Sequence, residues 1–212
     1  MTDLTEQMQQ VRLAYRLVVA YQRRLLDLAS LVHERVREAY PRSRFSEWGP
    51  SRWGRPGVGD PTTKWAWDFV PLHHCDIGWR TAPQPAAGEF WLWLSHQADT
   101  GWQATPPKEP DPLRLRPVEQ CETLISASVL AIPGGAELAG EVATLDWQKL
   151  YDAADASTPP GAWLGALRDC VTSLGTVRIG GLQVPVEQLG TKVRVSDTLI
   201  EPLIHLVRDG IG

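Results

Sequence analysis

The chain has 212 residues, of which 43% are hydrophobic, and its formal net charge at pH 7 is −4. This length is enough for one well-packed core and short for two, so we expect a single domain over residues 1–212. No apolar run approaches the ~20 residues of a membrane span, and the start lacks the order of a signal peptide. The three cysteines include no CxxC pair, which argues against a disulfide framework and a thiolate zinc site. We therefore expect a cytoplasmic protein without membrane contact.

Charge is distributed unevenly along the chain. Residues 1–55 carry ten arginines and six acids, a net charge of +4, whereas residues 56–212 carry eleven lysines and arginines and nineteen acids, a net charge of −8. A basic segment indicates a nucleic acid or an acidic partner, or a helix that docks onto its own acidic body. Acidic residues interleaved with these arginines favour the last interpretation.

Residues 3–40 contain neither Gly nor Pro and are predicted to form one long helix, capped by Thr2 or Asp3 and ended by Pro41. Its apolar stripe, with steps of four and three, is interrupted only by Gln22. The stripe consists of Leu4, Met8, Val11, Tyr15, Val18, Leu25, Ala29, Val32, Val36 and Ala39. A second row widens this face and consists of Leu13, Leu17, Tyr21, Leu28 and Leu31. At ~1.5 Å per residue the helix is about 55 Å long, so one end projects or the helix breaks.

Residues 41–63 hold four prolines and four glycines and are predicted to form an irregular loop. The loop also contains two tryptophans and four arginines, and a guanidinium can stack on an indole while it donates to an anion. The predicted binding residues are therefore Arg42, Arg44, Trp48, Arg52, Trp53 and Arg55. The alternative is that the tryptophans cover the core and the arginines point to water.

Eight of the ten tryptophans lie between Trp48 and Trp102, which predicts that the core lies there. Alternation over residues 64–70 and 74–79 predicts a hairpin-like or bent pair of strands. Residues 89–96 are apolar on both faces, as in a central strand, and residues 121–132 favour a strand over a short helix. The predicted fold class is α+β, an antiparallel Trp-rich sheet over residues 64–132 covered by the long N-terminal helix and by C-terminal helices.

The remaining segment, residues 133–212, is predicted to mix helices with a hairpin. Helices are expected over residues 145–154 and 160–174, and a last helix from Ser196 or Asp197 to Gly210. Gly180-Gly181 lies between two short β-prone runs, a pattern typical of a two-residue hairpin turn.

The densest group of chemically competent side chains is His73-His74-Cys75-Asp76. His74 and Asp76 with His96 from the next strand are weak candidates for a metal site, since imidazole and carboxylate groups bind zinc. Neighbouring residues on a strand face opposite ways, and histidines on a sheet usually satisfy local hydrogen bonds. The sequence therefore predicts no metal, no cofactor and no catalytic residue, and a structural role for Cys75.

Three functions are compatible with these patterns. The favoured one is a non-enzymatic interaction or accessory protein that binds a protein partner, or a second copy of itself, through the long helix and the Arg/Trp loop. The first alternative is nucleic-acid binding by the same loop, against which the acidic body counts. The second alternative is a metal-dependent hydrolase at the His/Asp cluster, against which the lack of a paired ligand motif counts.

Overall fold

The computed structural model describes residues 3–49, 74–101, 115–139, 146–159 and 163–212, and the fold is given for these ranges. An antiparallel six-stranded sheet carries helices on both faces. The predicted α+β class, with a Trp-rich sheet covered by a long N-terminal helix and C-terminal helices, is confirmed. None of the helices in these ranges is long and apolar enough to cross a membrane.

The sheet places its most apolar strands in the middle. Its strands are β1 (Arg44–Gly49), β2 (His74–Arg80), β3 (Phe90–Gln97), β4 (Leu124–Ala131), β5 (Gly165–Thr172) and β6 (Gly175–Pro185). They lie in the order β1-β2-β3-β4-β6-β5. β3 and β4 occupy the centre and are buried over most of their length, which confirms the predicted central strand at 89–96 and the strand within 121–132.

The first helix, α1, spans Leu4–Ala39, which confirms the long helix predicted over residues 3–40. The Asp3 carboxylate accepts a hydrogen bond from the backbone N–H of Thr5 at 3.3 Å and caps the first turn. In the second half of α1, the apolar stripe lies on the sheet, and its members Ala29, Val32 and Val36 are fully buried.

Two apolar layers hold the helices to the sheet. On one face, the second half of α1 and α4 (Glu201–Ile211) cover a layer that includes Ile77, Trp79 and Leu92. On the other face, α2 (Trp147–Ala156) covers a layer that includes Trp91, Leu130 and Ile179. α2 confirms the helix predicted over residues 145–154.

The prediction of an irregular loop over residues 41–63 is wrong for its first part, because β1 is a strand that pairs with β2, with a bulge between Phe45 and Glu47. The ring of Phe45 stacks on His33 of α1 at 4.2 Å between centroids and contacts Trp79 of β2 at 5.2 Å. These long-range contacts select an extended backbone in spite of the surrounding prolines and glycines. The strand predicted over residues 64–70, and its pairing with 74–79, lie outside the described residues.

The helix predicted over residues 160–174 is wrong, because residues 165–172 form β5. Buried Cys170 and Thr172 alternate with exposed Asp169 and Val171, which is the period of a strand, and the segment pairs with β6. The turn that joins β5 to β6 is Ser173-Leu174, followed by Gly175 with φ +126°.

The hairpin turn predicted at Gly180-Gly181 is also wrong, since both glycines lie within β6. A Cβ atom at Gly181 would lie 2.5 Å from the carbonyl oxygens of Ala127 and Trp163. Glycine is therefore needed there because neighbouring backbones approach closely, not because the chain turns.

The last helical segment begins at Lys192, four residues before the predicted start at Ser196. It runs from α3 (Lys192–Val195) through a π-helical turn at Ser196–Ile200 into α4. Pro202 has no amide hydrogen to continue the α-helical bonding, and the widened turn before it places the N–H of Glu201 on the carbonyl of Ser196.

Candidate functional site

The first half of α1 is exposed and apolar. Of the ten large apolar side chains that the described residues leave exposed, seven lie within residues 4–18. They are Leu4 (67% exposed), Met8 (42%), Val11 (42%), Leu13 (56%), Tyr15 (72%), Leu17 (61%) and Val18 (43%). This concentration on one helix is the strongest surface feature of the described chain.

This exposed surface continues the helix face that lies on the sheet. Residues seven apart on an α-helix share a face, and Val11 and Val18 precede the buried Leu25 and Val32 at that interval. We call the exposed part, Leu4, Met8, Val11, Tyr15 and Val18, the outer stripe. It extends for about 22 Å at ~1.5 Å per residue, and no described residue buries it.

The boundary between the two halves of α1 lies at residues 21–25. The hydroxyl oxygen of Tyr21 lies 2.5 Å from Nε2 of buried His96, and burial, assisted by the charge of Glu187, raises the pKa of Tyr21. Gln22 is 2% exposed. The guanidinium of Arg24 donates to the carbonyl oxygens of Leu189 and Gly190 at 3.2 and 3.0 Å. The body of the protein therefore holds α1 from this point onward.

The predicted Arg/Trp surface is only partly within the described residues. Arg42 forms an ion pair with the buried Glu89 at 2.7 Å, and Arg44 donates to the carbonyl oxygens of Pro41 and Ser43, both at 2.7 Å. Trp48 belongs to β1. The other predicted binding residues lie outside the described ranges, namely Arg52, Trp53 and Arg55. Arg42 and Arg44 are thus engaged within the chain, and their binding role stays a prediction.

The weak metal candidates His74, Asp76 and His96 do not meet. His96 pairs with Cys75 in the β2–β3 register, so its side chain lies on the face opposite to His74 and Asp76. On their own face, His74 Nε2 lies 3.9 Å from an Asp76 oxygen that accepts from the Ser95 hydroxyl at 2.5 Å. Within the described ranges, no group of three His, Cys, Asp or Glu side chains is arranged to hold a metal ion.

The sequence predicted Arg44 as a binding residue but did not reveal that it belongs to a row of donors at the edge of the sheet. Arg44 of β1 pairs with Arg80 of β2, and Arg80 pairs with Trp91 of β3. Trp91 is 8% exposed, and no described residue accepts a hydrogen bond from its indole nitrogen. The only local signal was that Arg80 follows the alternating run of β2, because the pairing depends on strand register.

Beside this row, four aromatic rings form a cluster under α2. The rings of Trp91, Trp93, Tyr151 and Trp163 have centroids 5.0 to 6.0 Å apart. The indole N–H of Trp163 donates to the Asp155 carboxylate at 3.0 Å. The rings contact one another directly, so the cluster closes the second apolar layer and fixes the position of Trp91.

The chain belongs to the PM0109 family, whose family model matches residues 1–153. The matched segment contains all of α1 and the strands β1 to β4, and it ends within α2. No curated protein and no solved structure matches the chain. The outer stripe and the donor row both lie within the segment that the family model covers.

Proposed function

We propose that this PM0109-family protein is a non-enzymatic interaction or accessory protein that binds a protein partner through the outer stripe of α1. The observation that carries this proposal is that the five apolar side chains of the outer stripe are exposed on the helix face that the sheet covers further along. Burial of this surface by a partner would contribute about 25 cal/mol for each Å² of apolar area removed from water.

The preferred occupant of the outer stripe is a helix. The stripe keeps a seven-residue repeat, from Leu4 to Val11 to Val18, which is the spacing that inserts side chains between those of a second helix. Most helical stability in proteins comes from tertiary packing, and no described residue packs on the outer stripe, so a partner helix would also stabilise the outer half of α1.

Charge favours a partner helix with acidic flanks over a second copy of the chain. Residues 3–24 carry four arginines, Arg12, Arg16, Arg23 and Arg24, and only two acids, Asp3 and Glu6. Two copies of α1 would bring these arginines toward one another, whereas acidic residues on a partner would steer its approach. A basic helix on an acidic partner is therefore the arrangement we propose.

Photo-crosslinking inside the source cell tests this interface directly. A photoreactive amino acid at Tyr15, which is 72% exposed, is expected to capture one partner that mass spectrometry identifies. The double variant Val11→Gln/Val18→Gln is expected to lose that crosslink. The matched control is Leu13→Gln/Ala20→Gln, since these positions are also seven residues apart and exposed but lie about 200° around the helix.

The proposal fails if both double variants capture the partner equally, because the outer stripe would then make no difference. Light scattering of the purified protein addresses the second-copy alternative. We expect a monomer at micromolar concentration, and a dimer that Val11→Gln/Val18→Gln dissociates would show that the occupant is another copy of α1.

A further inference from the structure

The edge of the sheet carries a pair of like charges in direct register. Arg44 and Arg80 are Cα partners in the antiparallel β1–β2 pair. Side chains directly opposite on such a pair point to the same face with Cβ atoms about 4.5–5.5 Å apart, and like charges there destabilise the sheet. Within the described ranges, no acidic side chain pairs with either guanidinium.

Both arginines face the layer that contains Trp91. Their neighbours Phe45 and Trp79 contact each other on the face covered by α1, so Arg44 and Arg80 point to the opposite face. Trp91 is the register partner of Arg80 on β3 and belongs to the layer on that face. Its buried indole N–H has no acceptor among the described residues.

These three side chains supply hydrogen-bond donors and no acceptor. Nη1 of Arg44 already donates to the carbonyl oxygens of Pro41 and Ser43, so its Nε and Nη2 are the donors that remain for a ligand. A buried N–H without an acceptor destabilises the folded chain, and the uncompensated arginine pair adds to that cost. Glu89, the residue before β3, already forms an ion pair with Arg42 at 2.7 Å. One bound oxyanion would satisfy the indole donor and remove the repulsion between the arginines.

We propose that Arg44, Arg80 and Trp91 form a binding site for a phosphate group, carried either by a small molecule or by a nucleic-acid backbone. Guanidinium groups match the oxygens of phosphate with paired donors, and two of them from adjacent strands can hold one group from two sides. This site lies on the sheet and is independent of the outer stripe of α1, so either proposal can fail alone.

Calorimetric titration of the full chain with inorganic phosphate, adenosine monophosphate and a single-stranded oligothymidylate tests the site. At least one probe is expected to bind, with a dissociation constant that rises at least tenfold in Arg80→Gln and less in Arg80→Lys, which keeps the charge. Trp91→Phe keeps an aromatic ring but removes the indole N–H donor, and it is expected to weaken binding several-fold. Arg194→Gln, an exposed arginine on α3, is the matched control with wild-type binding.

The three probes distinguish the source of the phosphate. Binding of phosphate or the mononucleotide without a length effect indicates a small molecule, whereas tight, salt-sensitive binding of the oligonucleotide indicates a nucleic-acid backbone. Thermal unfolding provides a second readout. Phosphate is expected to raise the Tm of the wild type above its value in chloride at equal ionic strength, and this difference should vanish in Arg80→Gln.

Two results would overturn the proposal. One is that none of the three probes binds the wild-type chain. The other is that Arg80→Gln and Arg194→Gln respond to the probes alike, because phosphate would then act on the protein's charge as a whole.

Discussion

The two halves of α1 share one apolar pattern but differ in burial. Residues 4–18 and 25–36 share the same apolar repeat, yet Val18 is 43% exposed while Val32 is fully buried. The repeat therefore tells which side of the helix is apolar and not what covers it. Gln22, the only polar residue on the stripe, lies at the boundary between the two halves.

The largest expected difference between the halves is the cost of placing a charge on the stripe. Val32→Asp puts a carboxylate into a fully buried site and is expected to lower the free energy of unfolding by at least ~4 kcal/mol, enough to unfold many domains. Val11→Asp is expected to change it by less than ~0.5 kcal/mol, because the site is exposed. Urea unfolding followed by circular dichroism measures both values, and similar losses would refute the comparison.

Hydrogen exchange should show the same division without a mutation. Amides of residues 26–36 are expected to exchange only on global unfolding, since tertiary packing protects their helical bonds. Amides of residues 8–18 should exchange through local opening, with protection lower by at least ~3 kcal/mol. Saturation of the outer stripe with its partner should raise their protection, and uniform protection along free α1 would contradict the division.

The boundary between the halves should respond to alkaline pH. Burial raises the pKa of Tyr21 in the folded chain, so above pH ~10 the unfolded chain loses this proton first. Stability is therefore expected to fall as pH rises, by up to about 1.4 kcal/mol per pH unit for this group, and Tyr21→Phe should remove that part of the slope. Burial also raises the pKa of Tyr40, so the contribution of Tyr40 to the slope should remain in Tyr21→Phe.

Tyr15→Phe is the matched control for the alkaline measurement, because Tyr15 is 72% exposed on the outer half of the same helix. Its slope of stability against pH should equal that of the wild type. Equal slopes in Tyr15→Phe and Tyr21→Phe would mean that the Tyr21–His96 contact does not hold the boundary.

The smallest expected effect concerns the ion pair between the covered half and the C-terminal helix. Arg35 contacts Glu201 at 2.5 Å and Glu38 at 2.8 Å, and these carboxylates raise its pKa. The side chains of Arg35 and Glu201 are 46% and 41% exposed, so water and salt screen the pair. Arg35→Gln is expected to lower the Tm only slightly in a thermal unfolding experiment. A decrease as large as that of a buried-site variant such as Val32→Asp would show that this pair fixes α1.

Sequence patterns were enough to predict the elements whose pattern of apolar residues runs over their whole length. α1 and the central strand β3 could be predicted because each repeats one pattern over its length. β5 and the position of Gly180-Gly181 inside β6 could not be predicted from the sequence. They depend on strand pairing and on the close approach of Ala127 and Trp163 to Gly181. The donor row escaped prediction for the same reason, since the Arg44–Arg80 pairing exists only in the folded register.

The order of synthesis adds a consequence to the way α1 is covered. Its inner half shares a layer with Leu199, Leu203 and Val207, and about 160 residues separate the end of α1 from the start of α4. At ~5–20 residues per second, a ribosome needs about 10–30 s to bridge that distance. Throughout this interval α4 is not yet available to pack beside α1, so the apolar face of α1 is exposed along its whole length in the nascent chain. A chaperone or an early partner would therefore bind this helix first.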